Sequence, residues 1–96
     1  MRPSVILSAQ RSRVLALAAA RGASRVRVFG SVAKGLDHDG SDLDLLVDLP
    51  EGTSLLTIVG LQQDLRDALG IPVDLCTERE LHPDLKPRIL AEARAL

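Results

Sequence analysis

Residues 43 to 49 read LDLLVDL, with Leu43, Leu45, Val47 and Leu49 recurring at every second position. Side chains alternate along a strand, so this period gathers four aliphatic groups on one face. Asp44 takes the other face, and Asp42, two residues before it, falls on the same side, about 7 Å away between Cα atoms. Such a segment has to lie in a sheet with one face buried and the other open. Pro50 and Gly52 end it.

The flanking sequence supplies partners for that strand. Residues 24 to 29, SRVRVF, alternate Val26 and Val28 with Arg25 and Arg27 and stop at Gly30-Ser31, a second half-buried strand. Residues 71 to 76, IPVDLC, read as a third, with Val73 and Leu75 on one side and Asp74 on the other. Between and around these lie helical patterns. Residues 4 to 21 place Val5, Leu7, Val14, Leu17 and Ala18 at roughly helical spacing, with Gly22 as a stop. Thr53 or Ser54 can cap a helix from Leu55 to Leu69, whose stripe is Leu55, Ile58, Leu61, Leu65 and Ala68 and which Gly70 closes. Gly60 inside it costs about 1 kcal/mol against alanine, which close packing would explain. Thr77 and Glu80 have capping-box spacing for one short turn. Asp84 can cap a last helix with Pro87 in its first turn. The order helix, strand, strand, helix, strand, helix predicts an α/β (α+β) fold: a short mixed sheet with helices packed on one face.

Composition narrows the function. The 96 residues predict a single domain spanning 1–96, with one core and no second domain. Phe29 is the only aromatic residue, so the core is aliphatic and stacking platforms for single-stranded nucleic acid are missing. Twelve basic and 13 acidic residues give a net charge of -1, so direct nucleic-acid binding is not expected. One cysteine, Cys76, excludes an internal disulfide and reads as a small apolar strand residue. The N-terminal stretch is too broken by Arg, Ser and Gln for a signal peptide or a membrane span, so a cytoplasmic protein is expected.

The carboxylates carry the chemistry. If the third strand pairs beside the second, Asp74 joins Asp42 and Asp44 on the open face. Three such groups repel one another and raise each other's proton affinity unless a hard cation neutralises them. Asp48 reads instead as an ordinary solvated strand residue. Gly30 would let backbone N–H groups come close to a phosphate, and Ser31 adds a hydroxyl donor. Gly-Ser alone is a common turn, and no Walker P-loop is present. An EF-hand reading of Asp37, Asp39 and Ser41 fails, because Asp42, Asp44 and Asp48 stand where glycine, an apolar residue and glutamate are required. His38 and His82 have no partner at ligand spacing and read as surface residues.

Taken together, Gly30-Ser31, residues 32 to 41, Asp42-Leu43-Asp44 and a later strand aspartate resemble the signature of the polymerase-beta nucleotidyltransferase superfamily. Nearly the whole chain is similar to its smallest members, the minimal nucleotidyltransferase (MNT) antitoxins paired with HEPN-domain toxins. The resemblance implies that Gly30 and Ser31 cradle the triphosphate of ATP. It implies that Asp42, Asp44 and Asp74 hold Mg2+, two ions being usual for in-line displacement. Lys34 stands where the family usually has arginine, which loses bidentate geometry, and it receives no role here. Larger relatives carry an acceptor domain that this chain leaves no room for, so the acceptor should come on another molecule. The resemblance makes that a cognate HEPN ribonuclease toxin, with AMP transferred from ATP to a toxin tyrosine in a type VII-like toxin-antitoxin pair. The alternative is an antitoxin that neutralises its partner by stoichiometric binding; transfer to a small molecule or RNA is a weaker third reading.

Overall fold

Where the chain turns is set by the residues the sequence singles out, with a few instructive departures. The computed structural model describes residues 1–96. Its elements are α1 (Pro3–Ala9), α2 (Arg11–Ala20), β1 (Ser24–Phe29), α3 (Gly30–Ala33), β2 (Leu43–Asp48), α4 (Leu55–Leu69), β3 (Val73–Cys76), a 3-10 turn (Glu78–Glu80), α5 (Lys86–Glu92) and β4 (Arg94–Ala95). No helix is long and apolar enough to cross a membrane.

The sheet runs in the order β3-β2-β1-β4. β2 and β3 are parallel, joined through α4, while β1 is antiparallel to both β2 and β4. This is the expected mixed sheet. Leu43, Leu45 and Val47 of β2 are buried with Val26 and Val28 of β1 and Val73 and Leu75 of β3. Val14 and Ala18 of α2 and Leu61, Leu65 and Leu69 of α4 close the same core from above. About 25 cal/mol per Å2 of apolar surface removed from water drives this packing.

Local signals place the ends of α4. Ser54, rather than Thr53, provides the cap: its Oγ accepts the Leu56 N–H at 3.0 Å. Gly70 ends the helix in the left-handed conformation at φ 68°, where a Cβ would be strained. The predicted stripe holds from Ile58 onward, but Leu55 is 70 % exposed. Gly60 answers to a side chain. The Arg21 guanidinium from the end of α2 lies against it, with Cζ 2.8 Å from where a Cβ would stand, and reaches Asp64 at 2.9 Å. Two more α4 side chains seal the free edge of β3. Gln62 Oε1 accepts the Leu75 N–H at 2.9 Å, and Arg66 Nε donates to the Val73 carbonyl at 3.0 Å. These two bonds occupy part of the edge that would otherwise template pairing with another chain.

Four expectations need correction. The helix expected over 4–21 is two helices, broken at Gln10 (φ -112°, ψ 17°). No breaker residue marks that point; the bend lets Pro3 and Leu7 both reach buried positions. α3 was not predicted, because one helical turn has no periodicity to detect. β4, of two residues, escaped for the same reason. Asp84 does not cap α5: Leu85 occupies the N-cap, and no side chain bonds there. The capping box of Thr77 and Glu80 does form.

Candidate active site

Strand register assembles the site. In the parallel pair, Asp44 of β2 stands opposite Asp74 of β3, and in the antiparallel pair Asp44 stands opposite Phe29 of β1. Directly paired residues share a face, so Phe29, Asp44 and Asp74 form one row on the sheet face opposite the aliphatic core. Asp42 lies immediately before β2 and is exposed, and Asp74 is exposed as well. Asp44, between its neighbours, is partly buried.

That placement is electrostatically costly. Burial, and then the negative charges of Asp74 and Asp42, push the Asp44 carboxyl up from its ordinary 3.8 to about 6. As the side chains stand, no three His, Cys, Asp or Glu groups meet closely enough to hold a metal ion. The carboxylates confront one another without closing on a common point. Their donors are hard oxygens, and a divalent cation entering between them would relieve the repulsion that raises Asp44. Their donor chemistry is that of a hard-cation site, while their present positions do not converge on one point.

Gly30 borders this row from the other side. It follows Phe29 directly, with φ 70°, a conformation that side chains rarely take. A Cβ added there would collide with Asp44 Oδ2 and come within 3.2 Å of its Cγ. Glycine thus lets the backbone of Gly30 and Ser31 pass directly against the carboxylate. The five residues selected from the sequence, Gly30, Ser31, Asp42, Asp44 and Asp74, come from three separate segments and meet at one end of the sheet. Only the closure of three carboxylates on one point is missing.

Other residues take quieter places. Cys76, two positions after Asp74, is half-buried, and burial, then Glu80, Asp74 and Asp44, push its thiol up to about 11. It stays protonated at neutral pH and behaves as the apolar filler expected. His38 and His82 are exposed. Lys34 pairs with Glu92 at 3.5 Å and so joins α3 to α5.

Sequence reasoning missed the buried charges. Arg27 is only 8 % accessible. Its Nη2 donates to Asp48 Oδ1 at 2.8 Å, its Nη1 lies 3.6 Å from Glu78, and its Nε donates to the Arg25 carbonyl. Asp48 is therefore a counter-ion rather than merely solvated. Arg27 pairs with Leu46 on the sheet face opposite Val26 and Val28, and that face is covered here as well, since Leu46 is fully buried. The arginine spacing alone suggested two solvated groups. The largest cleft, of about 620 Å3, opens at the opposite end of β2, between Val47–Thr53 and Thr77–Glu80. Asp48 and Glu78 line it, but none of Gly30, Ser31, Asp42, Asp44 and Asp74 does. Neighbouring carboxylates and a close-approach glycine are a better guide to chemistry than cleft size alone.

Known proteins share this sequence and fold. A family described as the nucleotidyltransferase domain matches residues 11–96. The chain belongs to the nucleotidyltransferase domain family. Among its relatives, a candidate protein adenylyltransferase of Methanocaldococcus jannaschii is 41% identical over 81 residues, covering 84% of this chain and 87% of that protein. The protein adenylyltransferase MntA of Thermococcus cleftensis is 37% identical over 71 residues, covering 74% and 72%. Among solved structures, a candidate minimal nucleotidyltransferase superposes with TM-score 0.86 at 48% identity, covering 97% of this chain and 95% of that one. A toxin-antitoxin crystallised with AMP-PNP shares the fold at TM-score 0.76 and 23% identity, over 88% and 69% of the two chains. This nucleotidyltransferase thus has the fold and family that its Gly-Ser and Asp-x-Asp spacing resembled.

Proposed function

We propose that this nucleotidyltransferase is a protein adenylyltransferase that silences a HEPN-domain toxin by moving AMP from ATP to a tyrosine hydroxyl of the toxin. The observation that carries the reading is the row of Asp44 and Asp74 with the Gly30 backbone against it. Support also comes from relatives named as protein adenylyltransferases. A structure sharing the fold at 19% identity is described as a tri-AMPylated Shewanella oneidensis HEPN toxin in complex with an MNT antitoxin.

Each residue has a part in this reading. Gly30 and Ser31 would offer backbone and hydroxyl donors to the triphosphate. Asp42, Asp44 and Asp74 would hold Mg2+, which supplies neutralisation of the triphosphate and alignment of the reacting oxygens. The tyrosine oxygen bonds to the α-phosphorus, the bond from that phosphorus to the β-phosphate oxygen breaks, pyrophosphate leaves, and the phenolic proton passes to solvent. Positioning and charge neutralisation account for most of the rate in such displacements.

The test is stoichiometry. A small amount of the protein with ATP and Mg2+ should inactivate a molar excess of the toxin, which should gain the mass of one or more AMP groups. The toxin should stay inactive after separation. The double variant Asp42→Asn, Asp44→Asn should bind the toxin yet fail to protect at substoichiometric ratios. Protection that never exceeds one toxin per antitoxin, or a double variant as protective as the parent, would make this a stoichiometric binder.

A further inference from the structure

One buried charge has no part in the chemistry above. Asp37 lies in the loop between α3 and β2, yet it is only 5 % accessible. Its Oδ2 accepts the Ser4 N–H at 2.8 Å, a contact between residues 33 apart in sequence. α1 needs such an acceptor. Its first N–H groups have no partner within the helix, and Arg2 at the N-cap makes no side-chain bond. A second tie lies on the surface, where the Met1 ammonium reaches Asp39 Oδ1 at 3.3 Å.

The loop leads from this anchor straight to the site. The His38 N–H donates to Ser41 Oγ at 2.9 Å, and the Ser41 N–H donates to the His38 carbonyl at 3.0 Å. The turn closes immediately before Asp42. On the far side, the Leu43 N–H donates to the Pro72 carbonyl at 3.0 Å, and Leu43 is fully buried. Asp42 thus sits between two fixed points, of which Asp37 is the one supplied by the loop. Gly35 and Gly40, both at positive φ, would otherwise leave that loop with a large conformational freedom.

We propose that Asp37 is a positioning residue: held by α1, it fixes the His38–Ser41 turn and thereby the place of Asp42 at the cation site. This rests on the nucleotidyl-transfer reading. The loss of a partner that orients a metal ligand typically weakens metal affinity about 10-fold to 100-fold.

Two measurements on Asp37→Ala and Asp37→Asn test it. Hydrogen exchange should speed up at amides 36 to 42 in Asp37→Ala while α4 keeps its protection. Calorimetry with Mn2+ and AMP-PNP should give roughly 10-fold weaker metal binding. Asp37→Asn keeps one oxygen for the Ser4 N–H and should show both changes at smaller amplitude, which keeps the test decisive if the alanine variant does not fold. Unchanged loop exchange, or faster exchange with unchanged Mn2+ affinity, would overturn the proposal. A parent protein that binds no Mn2+-nucleotide would instead overturn the transfer reading itself, and this role with it.

Discussion

Asp44 and Asp74 are register partners on parallel strands, so two carboxylates face each other across the open sheet where unlike groups would be cheaper. Each strand alone pays little for its aspartate. The cost arises when β2 and β3 pair, and it falls on Asp44 because that residue is also partly buried.

The first consequence is a pH dependence. With its pKa raised from 3.8 to about 6, folded Asp44 holds a proton that the unfolded chain has already released in that interval. Stability therefore falls as pH rises through it. Discounted for partial solvent exposure, the loss is roughly 1 to 2 kcal/mol. Asp37 acts oppositely but lower: the Ser4 N–H holds its carboxyl below the usual value, so its contribution is lost only under about pH 4. Melting curves in chelator between pH 4.5 and 7 should show the higher Tm at the acid end, and Asp44→Asn should flatten that trend. Adding Mg2+ at pH 7 should raise the Tm of the parent but not of Asp44→Asn.

Gly30 and Gly35 share a positive φ, at 70° and 71°, but differ in surroundings. A Cβ at Gly35 meets nothing within 4 Å, whereas one at Gly30 strikes the Asp44 carboxylate. Both alanine variants should lose about 1 to 2 kcal/mol through backbone strain. Only Gly30→Ala should also lose transfer, by 100-fold or more on the scale of about 1.4 kcal/mol per tenfold. Parallel urea melts and single-turnover assays of the pair separate strain from site geometry. Equal activities would reduce Gly30 to a strand terminator.

Arg27 offers a prediction about stability. Its guanidinium is buried against Asp48, with Glu78 nearby, and removing one partner of such a pair strands the other. Arg27→Ala should lower stability by about 2 to 3 kcal/mol, less than the full cost for a buried pair because Asp48 stays partly exposed and retains Arg25. Adding Asp48→Asn to the same chain should recover part of the loss. The urea midpoint at constant m-value is the readout.

How much of this could be read from the chain alone depended on the range of the cause. β2, α4 and the Thr77–Glu80 turn were legible because period two, period 3.6 and capping residues act over a few positions. The candidate site residues Gly30, Ser31, Asp42, Asp44 and Asp74 were picked out by their spacing, and the fold brings them to one end of the sheet. α3 and β4 were too short to carry a period. The break at Gln10 left no mark, since it serves Pro3 and Leu7 in a core assembled from distant residues.

Sequence by itself therefore determined which residues could take part: alternation put the aspartates opposite the leucines, and glycine permitted a backbone conformation that no other residue takes easily. Tertiary structure decided what each charge experiences. Pairing β2 with β3 made Asp44 the strained member of three carboxylates. Pairing of β1 with β2 buried Arg27 on Asp48, and α1 reached across 33 residues of sequence to hold Asp37. The physical reason is the same throughout. Propensity and periodicity act between near neighbours, while burial and Coulomb energy depend on distances that exist only once the chain has folded.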